Sequence, residues 1–137
     1  MGRTSRNDEG KEFLNSFKRA ASPMLVLLLL NEKPMYVYKL SQELERRSDS
    51  TFKLNFLYPV LYRLQQDEYV VEYSQEITES HRTRNYYAIT DKGRDRLQEM
   101  IRQYNSLIAT VNSVIENDGS ISTELPTLTG YEEEDEC

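Results

Sequence analysis

A mainly α fold with one small β-hairpin and a long C-terminal helix is predicted by three observations. Apolar residues recur at helical spacing in successive stretches between Lys11 and Leu64. The period then drops to two, from Tyr69 to Ser74 and again from Asn85 to Thr90. A coiled-coil-like spacing follows from Leu97 to Ile115.

Taken in order, residues 1–10 are polar and charged and read as a flexible arm, Arg3 and Arg6 included. From Lys11, the residues Phe13, Leu14, Phe17, Ala20 and Ala21 follow helical spacing. Ser22 then supplies a cap and Pro23 a favoured first helical residue, so a helix is predicted to reopen there and run to Leu30, apolar on nearly every face and buried all round. Residues 31–34 form a polar break. Tyr36, Val37, Leu40 and Leu44 give a second helix ending near Arg46-Arg47-Ser48, with Lys39, Gln42, Glu43 and Glu45 on its outer face. The polar turn Asp49-Ser50-Thr51 leads to a third helix. It is predicted to start between Leu54 and Phe56, because Pro59 is tolerated only near a helix start. Leu57, Leu61 and Leu64 share one face of it, and Asn55, Tyr58, Tyr62 and Arg63 lie opposite.

Two strands joined by a loop over residues 75–83 form the hairpin. Thr90 caps the last helix, where Leu97, Ile101, Tyr104, Ile108, Val111 and Ile115 step by 4, 3, 4, 3, 4, and Met100, Leu107 and Val114 widen the stripe. Asn117-Asp118-Gly119 stops it. The layout is that of a winged helix-turn-helix with an appended dimerisation helix, whose third helix suits a major groove about 12 Å wide. The predicted organisation is a flexible arm (1–10), a winged helix-turn-helix (11–90), a dimerisation helix (91–117) and a disordered acidic tail (118–137).

Charge is unevenly spread. Residues 1–115 carry 17 Lys+Arg against 15 Asp+Glu, while residues 116–137 carry 8 acids and no base, so the net −6 belongs to the tail. The part expected to fold is slightly basic, which is compatible with nucleic acid. The single cysteine, Cys137, permits no disulfide or cysteine-based metal site within one chain, and fits a reducing cytoplasm. The apolar run Met24–Leu30 is far shorter than the roughly 18–20 residues that cross a bilayer. The expectation is a soluble cytoplasmic protein without membrane or cofactor. No paired nucleophile and base, phosphate loop or metal constellation is legible, so an enzyme is not expected.

The stretches Ser22-Pro23-Met24-Leu25-Val26-Leu27-Leu28-Leu29-Leu30, Tyr36-Val37-Tyr38, Leu57-Tyr58-Pro59-Val60-Leu61-Tyr62-Arg63-Leu64 and Arg84-Asn85-Tyr86-Tyr87-Ala88-Ile89-Thr90-Asp91-Lys92-Gly93 together resemble the PadR family of transcriptional regulators. The resemblance spans about residues 17–115 and rests on the Leu-Tyr-Pro and Tyr-Tyr-x-Ile-Thr motifs as a pair. It implies a cytoplasmic repressor-like homodimer on operator DNA, in the short form with a single C-terminal dimerisation helix. It departs from the family at Val37, at Asn55-Phe56 and at Glu68, the last in place of a glycine. Some members of the family bind aromatic compounds at the dimer interface. By that resemblance Phe13, Phe17, Met100 and Tyr104 are the residues to line a site for a small aromatic effector, although core packing explains them equally well.

The candidate DNA contacts are Lys39, Lys53, Asn55, Tyr58, Arg63, Arg82 and Arg84. Asn55 either offers its amide to an adenine edge or caps the third helix, and Arg63 either meets phosphate or pairs with a nearby carboxylate. His81 lies in the expected wing loop and has no evident partner for metal or catalytic work. The candidate dimerisation residues are Leu97, Ile101, Tyr104, Ile108, Val111 and Ile115. A two-fold dimer implies an inverted-repeat operator. The competing expectation is a winged-helix protein-interaction module that has lost DNA binding.

Overall fold

The computed structural model describes residues 10–53 and 57–117. The chain runs α1 (Glu12–Glu32), β1 (Met35–Tyr36), α2 (Val37–Arg47), α3 (Leu57–Gln66), β2 (Val70–Ile77), β3 (Arg82–Ile89) and α4 (Asp91–Asn117). The mainly helical fold expected from periodicity is present, with two differences in detail.

The first concerns α1. It is one continuous helix that carries Pro23 inside it, rather than two helices meeting at Ser22. Ser22 is fully buried and donates its hydroxyl to the Lys18 carbonyl at 2.7 Å, one turn back, instead of capping. Proline removes one intrahelical amide donor. Burial of Val26, Leu27, Leu29 and Leu30 immediately beyond it holds the helix together nonetheless. The hydropathy of α1 reaches that of a membrane span, yet these four residues pack into the chain's own core.

The second difference is the sheet, which has three antiparallel strands in the order β1-β3-β2 rather than a bare hairpin. Met35 pairs with Tyr87 and Tyr36 with Tyr86. A two-residue strand has no period to read. The hairpin is also longer than expected, with pairing from Val70↔Ile89 out to Ile77↔Arg82, so only residues 78–81 turn. His81 closes that turn with φ 58° and donates its amide to the Ile77 carbonyl at 2.9 Å. Both faces of the distal hairpin are largely exposed, so backbone pairing continues there without an alternating apolar pattern.

Alternation sorts the rest of the sheet. Met35, Val70, Tyr87 and Ile89 point into the core, where they meet Leu27 and Leu30 of α1, Leu40 and Leu44 of α2, and Leu57, Leu61 and Leu64 of α3. Tyr36, Tyr73, Arg82, Arg84 and Tyr86 fall on the opposite face.

The exit of α3 is a Schellman turn. The Tyr69 amide donates to the Leu64 carbonyl and the Glu68 amide to the Gln65 carbonyl, each at 2.9 Å. Glu68 takes φ 67°, the left-handed conformation that glycine adopts most readily. Thr90 fastens this turn to α4. Its hydroxyl donates to the Glu68 carbonyl at 2.7 Å and accepts the Gly93 amide at 2.9 Å, as expected of a cap, and its own amide donates to the Tyr69 carbonyl. A Cβ on Gly93 would overlap the Tyr69 carbonyl oxygen and lie 2.8 Å from Ile89 Cγ1, so the close approach of helix to strand requires glycine.

The chain divides into two compact units within α4, between Ile101 and Arg102. Leu97, expected on a dimer seam, is 1 % exposed and belongs to the core of the first unit, against which Met100 and Ile101 also pack. The coiled-coil spacing did not distinguish these residues because a helix leaving a core keeps the same apolar stripe as it goes. In the second unit Tyr104, Leu107, Val111, Val114 and Ile115 are exposed and Ile108 is half-buried.

Candidate nucleic-acid interface

Burial of Leu57, Leu61 and Leu64 decides which way α3 faces. Tyr58 and Tyr62 are pushed outward, more than 60 % exposed, and Gln66 continues the strip by donating its amide to the Tyr62 hydroxyl at 3.3 Å. The sequence reading did not single out Gln66; only the helical step of four from Tyr62 pointed to it. Arg63 is exposed too, about 140° round the helix from Tyr58 and about 60° from Gln66, so it flanks the strip. Asn55 and Phe56 lie outside the described residues. Lys53 is exposed where the chain leaves the turn after α2.

The outer side of α2 repeats the pattern, with Tyr38 exposed and accepting the Gln42 amide at 3.4 Å. Its cations are engaged within the fold. Lys39 sits 3.4 Å from the Glu43 carboxylate, which also receives Arg46 at 2.7 Å and Arg47 at 3.0 Å. Arg47 reaches α1 as well, in a two-pronged pair with Glu32 at 2.6 and 2.8 Å. Hydrogen bonds from Arg46 and Arg47 hold the Glu43 carboxyl down at about 2, and the Arg47 hydrogen bond lowers that of Glu32. Lys39, expected as a phosphate anchor, is thereby partnered inside its own helix.

On the wing, Arg82, which falls within the loop expected over residues 75–83, opens β3, and Arg84 follows it in the same strand. Arg84 lies with its guanidinium 4.1 Å from the centre of the Tyr36 ring. Tyr36 meets Tyr86 edge-on at 5.5 Å, and Tyr86 stacks with Tyr73 at 5.8 Å. The outer wing face therefore presents arginine on an aromatic bed, which fixes the charge at reduced entropic cost. Alternation assigns Glu72 and Glu76 to the other face, away from Arg82 and Arg84. There, burial raises the Tyr87 hydroxyl above its ordinary value, and the charge and hydrogen bond of Glu72 and the nearness of Tyr58 add to the shift.

Arg63 lines a cleft of about 490 Å³ between α1, α3 and α4, together with Arg19 and Arg96. Among the described residues no group of three or more His, Cys, Asp or Glu is placed to hold a metal. Phe13 and Phe17 pack edge-on at 6.2 Å and are exposed, Met100 lines the cleft just described, and Tyr104 is exposed on α4.

Comparison with known proteins decides the family. Residues 26–99 match the model of the transcriptional regulator PadR-like family, more than half of the chain. The chain belongs to that family. This PadR-like regulator is 32 % identical over 82 residues to an uncharacterised protein of Lysinibacillus sphaericus, covering 58 % of this chain and 74 % of that one. Its fold is similar to that of a PadR family transcriptional regulator from Eggerthella lenta, at 27 % identity and TM-score 0.69, covering 80 % of this chain and 95 % of the other. A transcriptional regulator from Clostridium thermocellum shares the fold at TM-score 0.67 and 23 % identity, covering 74 % and 96 %. The PadR-like chain is thus a transcriptional regulator with a DNA-binding winged helix, and not an enzyme. Both α3 and the whole wing fall inside the matched residues.

Proposed function

We propose that this regulator acts in the cytoplasm as a homodimeric repressor, each subunit placing α3 in the major groove of one half of an inverted-repeat operator. The observation that carries the reading is the exposed Tyr58–Tyr62–Gln66 strip, flanked by exposed Arg63, on a helix whose other side is locked into the core, so these side chains are free to meet base edges, sugar and phosphate. Arg82 and Arg84 on the wing, with Lys53 before α3, supply the phosphate contacts. Dimerisation is assigned to the stripe of α4 formed by exposed Tyr104, Leu107, Val111, Val114 and Ile115 with half-buried Ile108, because such a surface is unfavourable in water and the same stripe of a second copy, related by a two-fold axis, would cover it.

One observation favours a second reading, a protein-interaction module. The α3 strip contains no cation, and those of α2 are paired with Glu43 and Glu32. Fluorescence anisotropy with duplex DNA from upstream of the protein's own gene, against a scrambled duplex at low and near-physiological salt, separates the two. Preference for the upstream duplex by more than about tenfold at the higher salt supports the regulator reading and autoregulation. Equal, low-salt-only binding removes autoregulation and directs the search to other operators. No binding at either salt favours the interaction module.

A further inference from the structure

The cleft between α1, α3 and α4 has a chemistry of which the DNA reading uses only Arg63. Arg19 of α1, Arg63 of α3 and Arg96 of α4 converge on it from three separate elements. Pro23, Pro59, Val60, Leu64 and Met100 form its apolar wall. Its volume, about 490 Å³, is within the range of small-molecule sites. Arg19 and Arg63 have no ion pair or side-chain hydrogen bond among the described residues. Arg96 is 3.4 Å from Glu99 and leans over the Tyr69 ring at 5.9 Å. Against these three guanidinium groups the cleft lining holds one carboxylate, Asp67.

We infer that this cleft binds a small phosphate monoester bearing a compact aliphatic group. Counting Glu99, which pairs with Arg96, the three guanidiniums face two carboxylates and leave an excess of one positive charge, so the choice of a phosphate monoester rests on the two guanidiniums, Arg19 and Arg63, that have no ion pair among the described residues. Arginine forks suit its three terminal oxygens. The wall is aliphatic, with Tyr69 its one aromatic side chain, and that ring is already faced by Lys92 and Arg96, so the apolar portion of the ligand is an alkyl group rather than a stacked ring. Because Arg63 rides on α3, occupancy reaches the helix read above as DNA-facing. That consequence rests on the DNA reading, whereas the site itself does not.

The test is isothermal titration calorimetry of the full chain in phosphate-free buffer with n-hexyl phosphate, inorganic phosphate and 1-hexanol, without DNA. Hexyl phosphate is expected to bind saturably and at least about tenfold more tightly than either of its halves. Arg19→Met and Arg63→Met, each on a different helix, are expected to weaken it by at least about tenfold with unchanged circular dichroism, while Arg63→Lys retains part of the affinity. Absence of saturable binding overturns the proposal. So does hexyl phosphate binding no tighter than inorganic phosphate, which indicates simple anion adsorption, or unaltered binding by both methionine variants, which places the site elsewhere. Duplex affinity of the same variants is measured separately. If Arg63→Met weakens duplex binding while the wild type ignores hexyl phosphate, the arginine serves the DNA backbone and the proposal falls, whereas hexyl phosphate binding by a chain that ignores DNA leaves the site standing and removes only the DNA reading.

Discussion

Replacing Gly93 by alanine sets two physical effects against each other with opposite signs. Gly93 lies in the first turn of α4, and helix propensity alone favours alanine by about 1 kcal/mol. The new methyl, however, would overlap the Tyr69 carbonyl oxygen and crowd Ile89 Cγ1 at 2.8 Å, and one of those atoms is backbone in the turn that closes α3. Relieving an overlap of this kind in a packed site costs about 1–3 kcal/mol. The required shift also loosens the Thr90 cap, whose hydroxyl links the Gly93 amide to the Glu68 carbonyl, for about 1 kcal/mol more. The expected net effect is a loss of about 2 kcal/mol after propensity is subtracted. At about 4–8 °C per kcal/mol, the melting temperature should fall by about 8–16 °C. Thermal and urea denaturation followed by circular dichroism measure this, at matched protein concentration because dimer formation would contribute to apparent stability. A Gly93→Ala chain as stable as wild type, or more so, would refute the close-approach reasoning and leave propensity as the governing effect.

Glu43 has a folded value depressed from 4.5 to about 2. Its contribution to stability is therefore complete above its unfolded value and lost as pH falls through the folded one, between about 4.5 and 2. Melting temperatures across that window should decline less steeply in Glu43→Gln than in wild type, and parallel profiles would show that the Arg46 and Arg47 contacts do not persist in solution. In operator binding, Arg84→Ala should reduce the salt slope by about one unit, whereas Lys39→Ala should leave it almost unchanged because Lys39 already faces Glu43. Anisotropy titrations over a salt series distinguish the two, and equal effects would remove the distinction drawn from their partners. Leu107→Lys with Val114→Lys should convert a dimer to monomer in sedimentation equilibrium without loss of helix content; a dimer that survives both changes must use another face.

Much of this protein was legible from residue order alone, and the legible part is that governed by local periodicity. The three leucines of α3 named its buried face, and with it the exposed positions of Tyr58 and Tyr62, because a helix repeats every 3.6 residues whatever it packs against. The Thr90 cap was legible for the same local reason. The paired motifs around Leu57–Leu64 and Tyr86–Gly93 carried the family, later established by the match over residues 26–99. Tertiary contact decided the rest. Local rules stop α1 at Pro23, but burial of Ser22 beside it and of Val26, Leu27, Leu29 and Leu30 beyond it carries the helix through. Two residues, Met35 and Tyr36, became a strand only because β3 lay beside them. Leu97 and Leu107 belong to one stripe in the sequence, yet one is 1 % and the other 63 % exposed, since the core ends between them. Lys39, Arg63 and Arg84 are equivalent cations on paper. The fold gives the first a carboxylate, the second a cleft and the third a tyrosine ring, because a long side chain's role depends on which neighbours from other turns and elements come within its reach.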